Sequence, residues 1–137
     1  METFIKFSPC YQKTYNCVSS VSHKYDSYHY IFPIEYHDKN RHPFTEVLKI
    51  LRDMECCLVT LEENYIHATY TSFFNYVYDI ELEYKRDQNI INIKSASRQG
   101  YWDFGINRRR MDKIRNLLTN YKLYIKSWKY KNNKYEF

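Results

Sequence analysis

Glycine is nearly absent from this 137-residue chain. Gly100 and Gly105 stand against three prolines and four cysteines. Two glycines supply no Gly-x-Gly-x-x-Gly dinucleotide fingerprint, and the sequence holds neither a P-loop nor a Gly-x-Ser-x-Gly nucleophile elbow. Long apolar runs are also missing. No window approaches the roughly 18 apolar residues of a membrane span. Near the N-terminus Lys6 interrupts Phe4, Ile5 and Phe7, and no apolar stretch follows, so no secretory signal is read. The expectation is a soluble, cytoplasmic or organellar chain compatible with peripheral membrane attachment. It would sit in a reducing compartment, unless a targeting segment has been removed or is not needed.

What is present describes a folded globule. Hydrophobic residues make up 44% and charged residues 27%, both ordinary values. A domain of this length buries roughly two thirds of its unfolded surface, enough for a core. The net charge is +5, from 21 basic and 16 acidic residues. That surplus permits phosphate, nucleic acid, anionic lipid or an acidic partner and demands none of them. The sixteen tyrosines follow from AT-rich codon usage, shared with Asn, Lys and Ile.

The pattern predicts an α+β fold: an antiparallel sheet of four to five strands with two helices packed on one face. Residues 1–28 read as an extended polar arm, 29–118 as the α+β domain, and 119–137 as a basic, aromatic helix extension and tail. Tyr30-Ile31-Phe32 is a strand candidate ending at Pro33. Phe44, Val47, Leu48 and Leu51 give a helix over 43–54, opened by Pro43. Strands are expected at Cys56–Leu61, Tyr65–Phe73 and Val77–Lys85, with a fourth through Ile91 and Ile93. A second helix is expected over 107–128, with Asn107 as its N-cap.

The hairpin around Asp87-Gln88 can be registered. Pairing Arg86 with Asn89 sets Tyr84 opposite Ile91, Leu82 opposite Ile93 and Ile80 opposite Ser95 on a buried face. On the other face Glu83 meets Asn92 and Glu81 meets Lys94, with Asp79 diagonal to Lys94 and Arg98. A slip of one residue would drive these charges into the core.

Asn16-Cys17-Val18-Ser19-Ser20, then Ile31-Phe32-Pro33, then Asp79-Ile80-Glu81 lead to the run Ser95-Ala96-Ser97-Arg98-Gln99-Gly100-Tyr101-Trp102-Asp103-Phe104-Gly105-Ile106-Asn107-Arg108-Arg109-Arg110. In this order, over roughly residues 10 to 118, they resemble domain-of-unknown-function family 1499. The resemblance implies a small domain of bacteria and plastid-bearing eukaryotes, often exported or membrane-associated, with no established activity. Tyr78 stands where that family usually has the first of two adjacent aspartates. Lys94 stands where it favours arginine, which loses the planar fork.

The signature run is the first candidate site. Three arginines stand where a helix begins, although the positive end of a helix dipole disfavours cations. Arg98, Asp103, Asn107, Arg109 and Arg110 make either an internal lock or an anion site built on arginine forks and a helix N-terminus. Asp79, Glu81, Glu83 and Lys94 read as a cross-strand ion lattice rather than a metal site.

Cys10, Cys17, His23 and His29 do not read as zinc ligands. Six residues separate the cysteines, whereas structural zinc pairs usually have roughly two to four between them. A Cys10–Cys17 disulfide would need an oxidising compartment. Nothing in the sequence brings Cys17 to His23, His29 or His67 as a catalytic pair.

Tyr121, Tyr124 and Trp128 form an aromatic stripe with lysines beside it, an interface candidate. The expected function is a non-catalytic protein-interaction module, an accessory subunit of a membrane-associated or organellar assembly, with no cofactor and no metal. The alternative is a small-ligand or anion-binding domain, enzymatic or not, centred on the signature loop. Nucleic acid ranks third, because no recognised nucleic-acid fold fits.

Overall fold

Alternation of polar and apolar residues dominates the centre of the chain, and the architecture grows from it. The structure, a computed structural model, describes residues 7–120. In β5 (Val77–Lys85) every second residue is buried. It pairs with β4 (Tyr65–Thr71) on one side and β6 (Ile90–Ser97) on the other. The β5–β6 register sets Tyr84 on Ile91, Leu82 on Ile93, Ile80 on Ser95, Glu81 on Lys94 and Glu83 on Asn92, as the sequence predicts. The reversal is a single 3-10 turn, Arg86–Gln88, followed by Asn89 in the left-handed region at φ 55°.

The sheet has six strands, not four or five. Its order is β1-β6-β5-β4-β3, with β3 at Cys57–Leu61 and β1 at Cys17–Ser19. A second short strand, β2 (Ile34–Glu35), also pairs with β6. All pairings are antiparallel. The expected strand at Tyr30-Ile31-Phe32 is displaced: the pairing residues follow Pro33, and Tyr30 makes only an isolated bridge to Ser19. Proline lacks the N–H a ladder needs, so it precedes the strand here rather than ending one.

Residues 7–28 do not hang free of the sheet. Phe7, Cys10, Cys17 and Val18 are buried, and β1 covers the outer edge of β6. A disulfide joins Cys10 to Cys17. The side chain of His29 is buried between Asp26 (2.6 Å) and the carbonyl of Thr14 (2.5 Å). A three-residue strand has no readable period, so the sequence shows only polarity there.

Helix α1 (Phe44–Asp53) follows Pro43, and α2 spans Ile106–Thr119. Val47, Ile50 and Leu51 of α1 join Met111, Ile114 and Leu118 of α2 in one core cluster. The sheet supplies Ile66, Ala68, Ile80, Leu82 and Ile93 to it. The N-cap of α2 is Gly105 rather than Asn107. The expected continuation of this helix towards residue 128, with Tyr121, Tyr124 and Trp128, lies outside the described residues.

Candidate functional site

The sheet face away from the helices carries the polar ladder. Arg98 donates from Nε to Asp79 Oδ2 at 2.8 Å and from Nη2 to Oδ1 at 2.9 Å, a bidentate pair. His67 Nε2 lies 2.7 Å from the same carboxylate. The Arg98 hydrogen bonds, with His67 adding to them, hold the Asp79 carboxyl below its usual range against the opposing effect of burial. Glu81 accepts from the Tyr65 hydroxyl at 2.6 Å and faces Lys94 Nζ at 3.9 Å. Burial first, and Glu81 second, push the Tyr65 phenol up. Glu83 accepts from Asn92 at 3.2 Å and lies 3.8 Å from Lys85. Lys94 also donates to Ser8 at 2.8 Å, which ties the N-terminal segment across this face. The three carboxylates thus have separate partners. Among the described residues no three His, Cys, Asp or Glu side chains are placed to hold a metal.

On the opposite face the signature run closes around Asn107, a fully buried side chain. Its Oδ1 accepts from Ser95 Oγ at 2.6 Å and from Arg110 Nη1 at 3.2 Å. The two hydrogens of Nδ2 are shared among the Asn16 carbonyl (3.0 Å), Ser97 Oγ (2.9 Å) and Asp103 Oδ2 (2.8 Å). Asp103 caps the helix from outside it, accepting from the N–H of Gly105 at 2.8 Å and of Asn107 at 3.3 Å. A carboxylate is favoured at a helix N-terminus, and here the chain supplies its own. Asn16 in turn donates to the Gly100 carbonyl at 2.8 Å. The Asn-Cys-Val-Ser-Ser element and the signature are therefore neighbours, with Cys17 opposite Ala96 and Val18 opposite Ser95. Gly105 has φ +78°, a conformation that L side chains rarely adopt, so a substitution there is strained; an added Cβ would meet only the flexible end of Arg109, Nη1 at 3.1 Å.

The three arginines each find a different solution. Arg108 donates to the carbonyls of Ser27 (3.2 Å) and Tyr28 (3.4 Å). Arg109 folds back to the Phe104 carbonyl at 2.9 Å. Arg110 is buried, with its guanidinium 4.2 Å from the Tyr78 ring centroid and 5.0 Å from that of Tyr70. Burial lowers its basicity, and the neighbouring Tyr78, Cys56, Tyr70 and Asp103 counter that. Tyr78, the departure from the family pattern, is thus the platform for a buried cation. This pairing was invisible in sequence, because it depends on the register that sets Tyr70 opposite Tyr78.

The apolar residues of the same loop point the other way. Tyr101, Trp102 and Phe104 are all exposed, at 58%, 63% and 75%. The Trp102 and Phe104 rings stack with centroids 4.9 Å apart. At the same end of the sheet the β4–β5 turn exposes Phe73, Phe74 and Tyr76. The two loops are joined where Val77 N–H donates to Gln99 Oε1 (2.9 Å) and Arg98 N–H to the Val77 carbonyl (2.9 Å).

The family described as "Protein of unknown function (DUF1499)" matches residues 6–118, and the chain belongs to that family. No curated protein and no solved structure matches it.

Proposed function

We propose that this member of the DUF1499 family is a non-catalytic interaction module, an accessory subunit of a membrane-associated or organellar assembly. Its contact surface is the aromatic rim formed by the signature loop and the β4–β5 turn. One observation carries the reading: Arg98, Asp103 and Asn107 of the signature are bonded within the chain, while its large aromatic side chains face solvent. Arg98 and Asp103 bond to Asp79 and the helix N-terminus, and Asn107 bonds wholly within the fold. Tyr101, Trp102 and Phe104 remain outside with Phe73, Phe74 and Tyr76. Exposed aromatic side chains gathered on two neighbouring loops are the kind of surface that interaction sites use. Rigid aromatic rings are the usual anchors of such sites, because they bury much area for little lost rotamer freedom. The edge strand β3 adds Leu58, Val59 and Leu61, also exposed.

The test is the double variant Trp102→Ala/Phe104→Ala, expressed in place of the natural chain. Its melting temperature should match the wild type, since neither ring belongs to the core. In native size fractionation of cell extract it should move from a large species to the monomer position. A variant that co-fractionates with the wild-type assembly would remove the aromatic rim from the interface.

A further inference from the structure

Arg110 is the one arginine of the signature whose charge is both buried and without a carboxylate partner among the described residues. Only 8% of its surface is exposed. Its guanidinium carbon lies 4.2 Å from the Tyr78 ring centroid and 5.0 Å from that of Tyr70. A guanidinium carries several N–H donors. One of these, on Nη1, reaches Asn107 Oδ1 at 3.2 Å. The nearby Asp103 carboxylate is already turned to the N–H groups of Gly105 and Asn107. Asp103 offsets part of the cost of burying this cation from a distance, and an anion able to reach the guanidinium directly would offset more.

Such an anion has a place to sit. A cleft of about 310 Å³ is lined by Met54, Tyr70, Ile106, Arg109, Arg110 and Lys113. Three of the six residues are cations and none is acidic. Arg109 and Lys113 are four apart on α2, and Arg110 and Lys113 three apart, so the three cationic residues share one side of the helix. Met54, Ile106 and the Tyr70 ring supply an apolar wall. We propose that this cleft binds a phosphomonoester, with Arg110 and Lys113 on the phosphoryl oxygens, Arg109 at the rim and the organic group against Met54 and Ile106. A phosphomonoester carries nearly two negative charges at neutral pH, which suits a tricationic cleft better than a single carboxylate does. The arginine fork gives bidentate recognition of two phosphoryl oxygens. This proposal does not rest on the interaction reading, although Arg109 also donates to the Phe104 carbonyl beside the aromatic rim.

Phenyl phosphate, inorganic phosphate and sodium acetate should be titrated into the purified chain by calorimetry and by thermal shift, at fixed ionic strength. Phenyl phosphate should bind at one site and raise the melting temperature, because a ligand of the native state stabilises it. Inorganic phosphate should bind more weakly, and acetate should have no effect. The double variant Arg109→Ala/Lys113→Ala touches only exposed side chains, so its unliganded melt should stay close to wild type, and its affinity should fall about tenfold or more. Lys85→Ala removes a positive charge at the other end of β5 and should bind as wild type does. Absence of phenyl phosphate binding at millimolar concentration would overturn the proposal. So would equal loss in Lys85→Ala, which would mean diffuse charge attraction, or equal affinity for phenyl and inorganic phosphate, which would remove the apolar wall from the site.

Discussion

Two polar clusters lie on opposite faces of β5 and β6, built from the same kinds of side chain and differing in their exposure to water. Around Asn107, a fully buried amide joins Ser95, Ser97, Asn16, Asp103 and Arg110. Around Asp79, a half-exposed arginine, a histidine and a carboxylate meet at 2.7, 2.8 and 2.9 Å, with Glu81 and Lys94 alongside. Distance alone does not separate the two clusters. Burial does. A buried group left without its partner incurs the full cost of desolvation, whereas an exposed ion pair exchanges its partner for water. The buried cluster fixes the fold, and the exposed ladder trims it.

The largest effect should come from Asn107→Ala. It leaves the buried Ser95 hydroxyl and one Arg110 donor without their acceptor and removes the amide that joins Ser97, Asp103 and the Asn16 carbonyl (which keeps the Ser97 N–H at 2.9 Å), and should cost about 3 kcal/mol or more in chemical denaturation. A loss below that of Arg98→Ala would invert the comparison. Next is the Cys10–Cys17 bond, which joins the first residue of β1 to the segment before it and anchors the stretch that presents Asn16. Closing so short a loop contributes roughly 2–3 kcal/mol. Reduction should lower stability by that amount and speed hydrogen exchange at residues 15–19 more than in β4 and β5. Such a bond persists in oxidising compartments, so its state in cells is a direct reading of where the chain resides.

The ladder should give the smallest effects. Arg98→Ala should lower the melting temperature less than Asn107→Ala does, and added salt should narrow the difference from wild type. The acid limb supplies an independent check. The folded Asp79 carboxyl lies below its unfolded value of about 3.9. Its contribution is therefore present above that pH and is lost as pH falls through the lower folded value. Asp79→Asn should flatten the stability profile below about pH 4.

Much of the ladder was legible in sequence, and little of the buried cluster was. Strict alternation over Val77–Lys85 and the turn at Asp87 give the register, and the register alone sets Arg98 within reach of Asp79. Asn107 offers no such signal. Its partners are drawn from β1, β6 and the loop, up to 91 positions away. Its residue type reads as a helix cap, a role that Asp103 fills from four positions upstream. β1 and β2 were missed because two or three residues hold no period, and their pairing depends on the free edge of β6. The buried Arg110 escaped for a related reason: its platform exists only once Tyr70 and Tyr78 stand on adjacent strands.

The central claim is that the signature holds itself together with its polar residues and meets a partner with its aromatic ones. Hydroxyl-radical footprinting of the isolated chain and of the native assembly tests both halves at once. Trp102, Phe104, Phe73 and Phe74 should be strongly oxidised in the isolated chain and protected in the assembly, while the core residues Met111 and Ile114 stay protected in both. Equal oxidation of Trp102 and Phe104 in the two samples would contradict the account.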